Sequence, residues 1–242
     1  AISAVLLKSG LKGHWLEAHA HIPFRADQNP ADETAQALVK QTRDHFGRVD
    51  ALVNLDVDLA FKVLVMDDEV DILYAQVLEY MGKIGKAALT ETQTEEFLDL
   101  MSALGDLENL GDTIETNLVA LGIARVDSHI SISEPTRKVL SDFHHVVRRS
   151  LRAAIQAVSQ NNREAADLVI AMEREIQNLA NSAAVHQATR LVAREPNRIP
   201  TYTIEIDIIE KEKRIYYFSE RMARTLLAPD ERISLEAATE TA

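Results

Sequence analysis

The chain contains no cysteine, so disulfides, thiolate metal ligands and thiol chemistry are all excluded. Glycine (8) and proline (6) are scarce among its 242 residues, and aromatics make up only 5%. A turn-rich all-β fold needs such residues at its corners, so long helices are the simplest architecture left. Basic residues number 26 against 38 acidic ones, giving a formal net charge of -12. The resulting long-range repulsion disfavours a nucleic acid backbone as partner, and no basic run offsets it. No stretch approaches 18 consecutive apolar residues, so no bilayer-spanning segment is expected. Phosphate-cradling glycine loops, HExxH pairs and nucleophile elbows are also missing. The chain is therefore not expected to be an enzyme.

What is present is helical periodicity. Asn29, Pro30, Asp32 and Glu33 form a helix start, and the apolar pattern that follows runs to about Asn54. A second helix is expected from Asp56 to about Met81, and a third from a Thr90 or Thr92 cap to about Leu121. Residues 122–134 read as a linker closed by Ser133 and Pro135. The second half then repeats the plan at an offset of about 106 residues. Val63 falls on Val169, Met66 on Met172 and Val70 on Ile176; one residue less places Leu104 on Ile209 and Leu110 on Ile215. The expected fold is all-α, two tandem three-helix bundle repeats: lead-in 1–30, first repeat 31–121, linker 122–134, second repeat 135–228 and tail 229–242. TYTIEIDII at 201–209 alternates like a strand, but its place in the repeat predicts helix.

Within LENLGDTIETNL (107–118), Glu108, Asp112 and Glu115 form one column on a regular helix. MDDEVDIL (66–73) adds Asp67 and Asp71 one helix earlier, at nearly the same level of an antiparallel pair. Like charges so close call for a cation: bulk counterion, a basic side chain, or a hard or intermediate divalent or trivalent metal. The candidate metal ligands are Glu108, Asp112, Asp71 and Asp67. The repeat supplies an internal control. Glu173 and Gln177 answer Asp67 and Asp71, and in the other column Lys213 and Tyr217 stand where Glu108 and Asp112 do, so that there only Glu115 keeps an acid, in Glu220. Any metal is therefore expected in the first repeat alone. Asp106 reads as a cap or a solvated neighbour of this column. His14, His19 and His21 have a loose zinc-like spacing with no partner motif. His144 and His145 open a basic stretch through Arg148, Arg149 and Arg152, of which one or two face the bundle and the rest face water. Tyr216, Tyr217 and Phe218 close the second bundle or an interface, and with the apolar start they motivate a homodimer.

Two repeats of three long helices, carrying MDDEVDIL and LENLGDTIETNL with weaker echoes in MEREIQNL (172–179) and EKRIYYFSERMA (212–223), resemble the PhoU family of phosphate-uptake regulators. In that family the ExxxD acids hold iron or similar metal clusters on the bundle surface, which here implies Glu108 and Asp112, with Asp71 and Asp67 beside them. Lys213 and Tyr217 depart from the pattern and resemble the PhoU-like domains of sodium/phosphate cotransporter-like proteins. The apolar start AISAVLL, with no initiator methionine, fits a cut after a membrane segment. The resemblance implies a cytoplasmic regulatory domain at the inner face of the plasma membrane, working on the transporter portion of the same parent chain. A freestanding regulator of an ATP-driven phosphate transporter and its sensor kinase is the alternative, and a metal-free helical scaffold or adaptor a further one.

Overall fold

The computed structural model describes residues 57–192, 198–228 and 231, with side chains from residue 70 onward. The helix expected before Asn54, the amino-terminal histidines and the apolar start lie outside these residues. Helix α1 spans Val57–Ile84 and α2 Glu91–Asp112; a π-helical segment, Thr113–Val119, leads directly into α3, Ala120–Asp127. The second half holds α4 (Glu134–Gln160), α5 (Arg163–Ala171), α6 (Glu173–Leu191) and α7 (Arg198–Arg224). Every regular element among the described residues is helical, including residues 201–209, so the chain is an all-α helix bundle.

Local chemistry explains most boundaries. Thr90 caps α2 in a reciprocal box: Gln93 N–H donates to Thr90 Oγ1 (3.3 Å) and Thr90 N–H donates to Gln93 Oε1 (2.8 Å). Ser133 caps α4, accepting from Thr136 N–H at 3.4 Å, with Pro135 in the first turn. That helix ends at Asn161, which adopts a left-handed conformation (φ 49°), and Asn162 then caps α5 by accepting from Ala165 N–H.

Three boundaries differ from the sequence pattern. The third helical run passes Leu121 and ends at Asp127, so the connection to α4 is shorter than residues 122–134. His129, at φ 53°, closes that run: Ile130 N–H donates to Arg125 O and His129 N–H to Val126 O, a Schellman turn made without glycine. The run from 163 to 191 is broken at Met172, where the Met172 N–H donates three residues back to Val169 O. Tyr216 Oη–H donates to that same carbonyl from α7 (3.1 Å), inserting a side chain into the backbone ladder. Finally, the π-helical segment takes an extra residue per hydrogen-bonded turn, which rotates Glu115 away from the position a regular helix would give it relative to Asp112.

Helix α7 is the hub. It packs on α4, α5 and α6 of its own half and on α2, the π-helical segment and α3 of the first half. Leu110, Ile114, Val147, Leu151, Ile215 and Met222 are buried along these contacts. Each such side chain contributes about 1.5–3 kcal/mol when withdrawn from water. Tyr216 and Phe218 point into this core while Tyr217 is 52% exposed, so the aromatic trio closes the bundle and leaves one ring at the surface. That removes most of the aromatic surface from which a homodimer is inferred.

Candidate functional site

The acidic column sits where α1 and α2 pack together. Glu108 is half-buried, and Asp71 and Asp112 are exposed at its side. Withdrawal from water holds the Glu108 carboxyl above its ordinary range, and the charges of Asp71 and then Asp112 push it further in the same direction. Its Oε2 atom is buried and makes no hydrogen bond. The structure thus brings together three of the four acids singled out from the sequence; the fourth, Asp67, lies on α1 with its side chain outside the described set. Glu115 does not join them and instead accepts from its neighbour Thr116 Oγ1 at 2.8 Å.

An orphaned carboxylate oxygen with two more carboxylates beside it has the donor chemistry of a hard cation site. Among the described residues, however, no group of three or more His, Asp or Glu side chains converges as a preformed metal centre does. Glu108, Asp112 and Asp71 are the residues that would hold a metal, with side-chain rearrangement on binding. At the matching place in the second half, Lys213 Nζ is bound to Glu210 (3.0 Å) and the Arg221 guanidinium lies over the Tyr217 ring at 5.7 Å. Glu220 is paired with Arg224 at 2.9 Å. The tension among like charges present in the first half has no counterpart there.

Sequence reasoning missed a set of buried ionic side chains that join the helices. Asp106, read as a cap or solvated, is instead 1% exposed, and its Oδ2 lies 3.5 Å from Arg221 Nε on α7. Burial pushes this carboxyl up to about 6 although the Arg221 charge pulls it down. His144 Nδ1 and Glu212 Oε1 meet at 2.7 Å in the core between α4 and α7, and Arg198 Nη2 donates to Glu205 Oε2 at 3.3 Å within α7, both pairs almost fully buried. His145, Arg149 and Arg152 remain at the surface, as the basic stretch suggested. One signal was available: Arg198, Glu205, Glu212 and Ser219 recur at heptad spacing among isoleucines, a polar line within the stripe that has to be buried. Arg198 and Glu205 pair within α7 and Ser219 donates to Ile215 O, but only the packing of α4 against that line brings His144 to Glu212.

The sequence model of the PhoU domain matches residues 48–117, a span that contains Asp67, Asp71, Glu108 and Asp112. The crystal structure of PhoU from Pseudomonas aeruginosa superposes with a TM-score of 0.74 over 81% of this chain and 93% of that one, at 16% sequence identity. The chain has the PhoU fold. No curated protein matches it by sequence. At 16% identity the likeness establishes the fold alone, so individual site residues have to be argued from their own surroundings.

Proposed function

We propose that this chain is a PhoU-type regulator in phosphate-related signalling, non-catalytic and acting through contacts with other proteins. The observation that carries the reading is the extent of the fold match: 93% of a whole PhoU chain is accounted for. The PhoU domain match over residues 48–117, which include α1 and α2, supports it. On this reading the chain works on the cytoplasmic side, and its signalling surface includes the acidic face of α1 and α2.

The same reading includes a metal. Glu108, with its buried and unsatisfied Oε2, and Asp112 are its anchors, and Asp71 and Asp67 assist from α1. A bound cation would offset the repulsion among these acids and tie α1 to α2. Two experiments test the proposal. In cells deleted for their own PhoU, the chain should restore repression of a phosphate-starvation reporter in phosphate-rich medium; a reporter that stays derepressed at normal protein level sinks the regulatory role. Calorimetric titration with iron, manganese and zinc should show uptake that is lost on combining Glu108→Gln with Asp112→Asn and kept on combining Glu173→Gln with Glu220→Gln. Uptake by none of the three metals would reduce the acidic column to a solvated face.

A further inference from the structure

The second bundle has a distinctive end, where α4 begins, α6 finishes and α7 begins. Three contacts set the register of α4 against α6 in antiparallel order: Arg149 with Glu175, Thr136 Oγ1 with His186 Nε2 (3.0 Å), and Ser133 Oγ with Arg190 Nη1. Gln187 lies between His186 and Arg190, both of which touch the first turn of α4, and it is itself 6% exposed. On the other side, Tyr216 reaches Val169, and equal lengths of chain separate Val169 from Gln187 and Arg198 from Tyr216. In an antiparallel pair this puts Gln187 and Arg198 at about one level; the Arg198 side chain runs along α7 to Glu205, which the His144–Glu212 contact between the parallel helices α4 and α7 places level with Arg137 on the first turn of α4.

The polar atoms gathered there have a common character. Gln187 Nε2, Arg198 Nε, Arg198 Nη1 and Arg137 Nε are all buried N–H donors, and none of them has a hydrogen-bond acceptor. Gln187 and Arg198 are more than nine-tenths buried, so the desolvation of their donors is uncompensated. Positive charge at this place is further disfavoured, because the first turn of α4 presents backbone N–H groups and the positive end of the helix dipole. Arg137 stands on that turn and Arg190 touches its cap. Among the described residues, the carboxylates in reach are Glu134, 3.4 Å from Arg137 Nη1 at the surface, and Glu205, whose Oε2 takes Arg198 Nη2. Arg125, buried beside Arg137 and turned toward Ile130 O, has its proton affinity lowered by burial and then by the Arg137 charge.

We propose that this end of the second bundle is a binding site for monohydrogen phosphate, held by the N–H groups of Arg137, Gln187 and Arg198 at the start of α4. An oxyanion supplies acceptors to every one of the unsatisfied donors at once, and guanidinium forks match its oxygens in pairs. The half-exposed Arg137 and Ser133 form its entrance. Glu205 selects among oxyanions: its Oε1 is buried and without a partner, and as a carboxylate it accepts the P–O–H proton of monohydrogen phosphate. Sulfate has no such proton, and its oxygens would repel Glu205.

This site is separate from the acidic face and rests on different residues from the regulatory reading, so the two fail separately. The test is calorimetric titration of the whole chain with inorganic phosphate and with sulfate at pH 8 and fixed ionic strength. Phosphate is expected to bind at micromolar to low millimolar concentration, with sulfate at least tenfold weaker. Arg137→Gln, half-exposed and away from the core, and Gln187→Leu, close in volume, should each weaken phosphate at least fivefold while keeping the helical circular dichroism and melting behaviour of the parent. Glu205→Gln should narrow the preference for phosphate over sulfate to less than threefold. No binding of phosphate at 10-millimolar concentration, equal binding of sulfate, or unchanged affinity in folded Arg137→Gln and Gln187→Leu variants would each overturn the proposal. A chain that binds phosphate yet leaves the starvation reporter derepressed would overturn the regulatory reading alone.

Discussion

Replacing Asp106 by asparagine should stabilise this chain at neutral pH and leave it unchanged near pH 4. Asp106 is buried on α2, and among the described residues its opposite charge is Arg221, 3.5 Å away on a half-exposed side chain. Its carboxyl is pushed up from 3.8 to about 6 in the folded chain. Because the folded state holds the proton more tightly, it binds more protons than the unfolded state between these values, and stability falls as pH rises through them. The fall is complete a little above pH 6. Two pKa units correspond to about 3 kcal/mol, which is the penalty for keeping this carboxylate ionised inside the helix interface at pH 8. Asparagine has nearly the same shape and no charge to desolvate, and Arg221 can turn to water when released. Urea unfolding of both proteins from pH 4 to pH 8 should therefore give a difference that grows from near zero to about 2–3 kcal/mol, or a gain of about 5–10 °C in melting temperature for a chain of this length. Taking the difference cancels groups common to both proteins, Glu108 among them. A difference that is flat with pH, or one that favours aspartate at pH 8, would mean that the Arg221 attraction exceeds desolvation and the reasoning is wrong.

The combined Glu108→Gln and Asp112→Asn change should raise metal-free stability at pH 7 by about 0.3–1 kcal/mol, since like charges beside Asp71 are removed. Glu108 is also held above its usual range, so that gain should shrink toward pH 4 in thermal melts taken across the range. For the buried His144–Glu212 pair, Glu212→Leu alone should cost about 3–5 kcal/mol, and adding His144→Leu should recover most of the loss in a double-mutant cycle followed by urea unfolding. Tyr216→Phe should cost about 1–2 kcal/mol, because the Val169 carbonyl at the Met172 break loses its donor from α7; amide exchange in α5 should rise with it.

Local chemistry made much of the fold legible. The Thr90 box and the Ser133 and Pro135 start follow from interactions within a few residues, where side chain and backbone compete for the same donors. Apolar spacing was enough to find the helices, because a stripe of period 3.6 must be buried whatever buries it, and the place of the strand-like TYTIEIDII in the repeat was enough to read it as helix. The grouping of Asp71, Glu108 and Asp112 was legible too, since one hairpin sets both the pairing and the level of α1 and α2. What lay beyond the sequence was contact between distant helices. Asp106 looks like any surface acid until α7 covers it, and His144 and Glu212 become a pair only when α4 and α7 share a core. Met172 breaks a helix because Tyr216 arrives from α7 to take a carbonyl. In each case the deciding energy is desolvation: a short stretch of sequence sets which groups are polar, but only the tertiary packing determines which of them lose water, and therefore which must find a partner or a ligand.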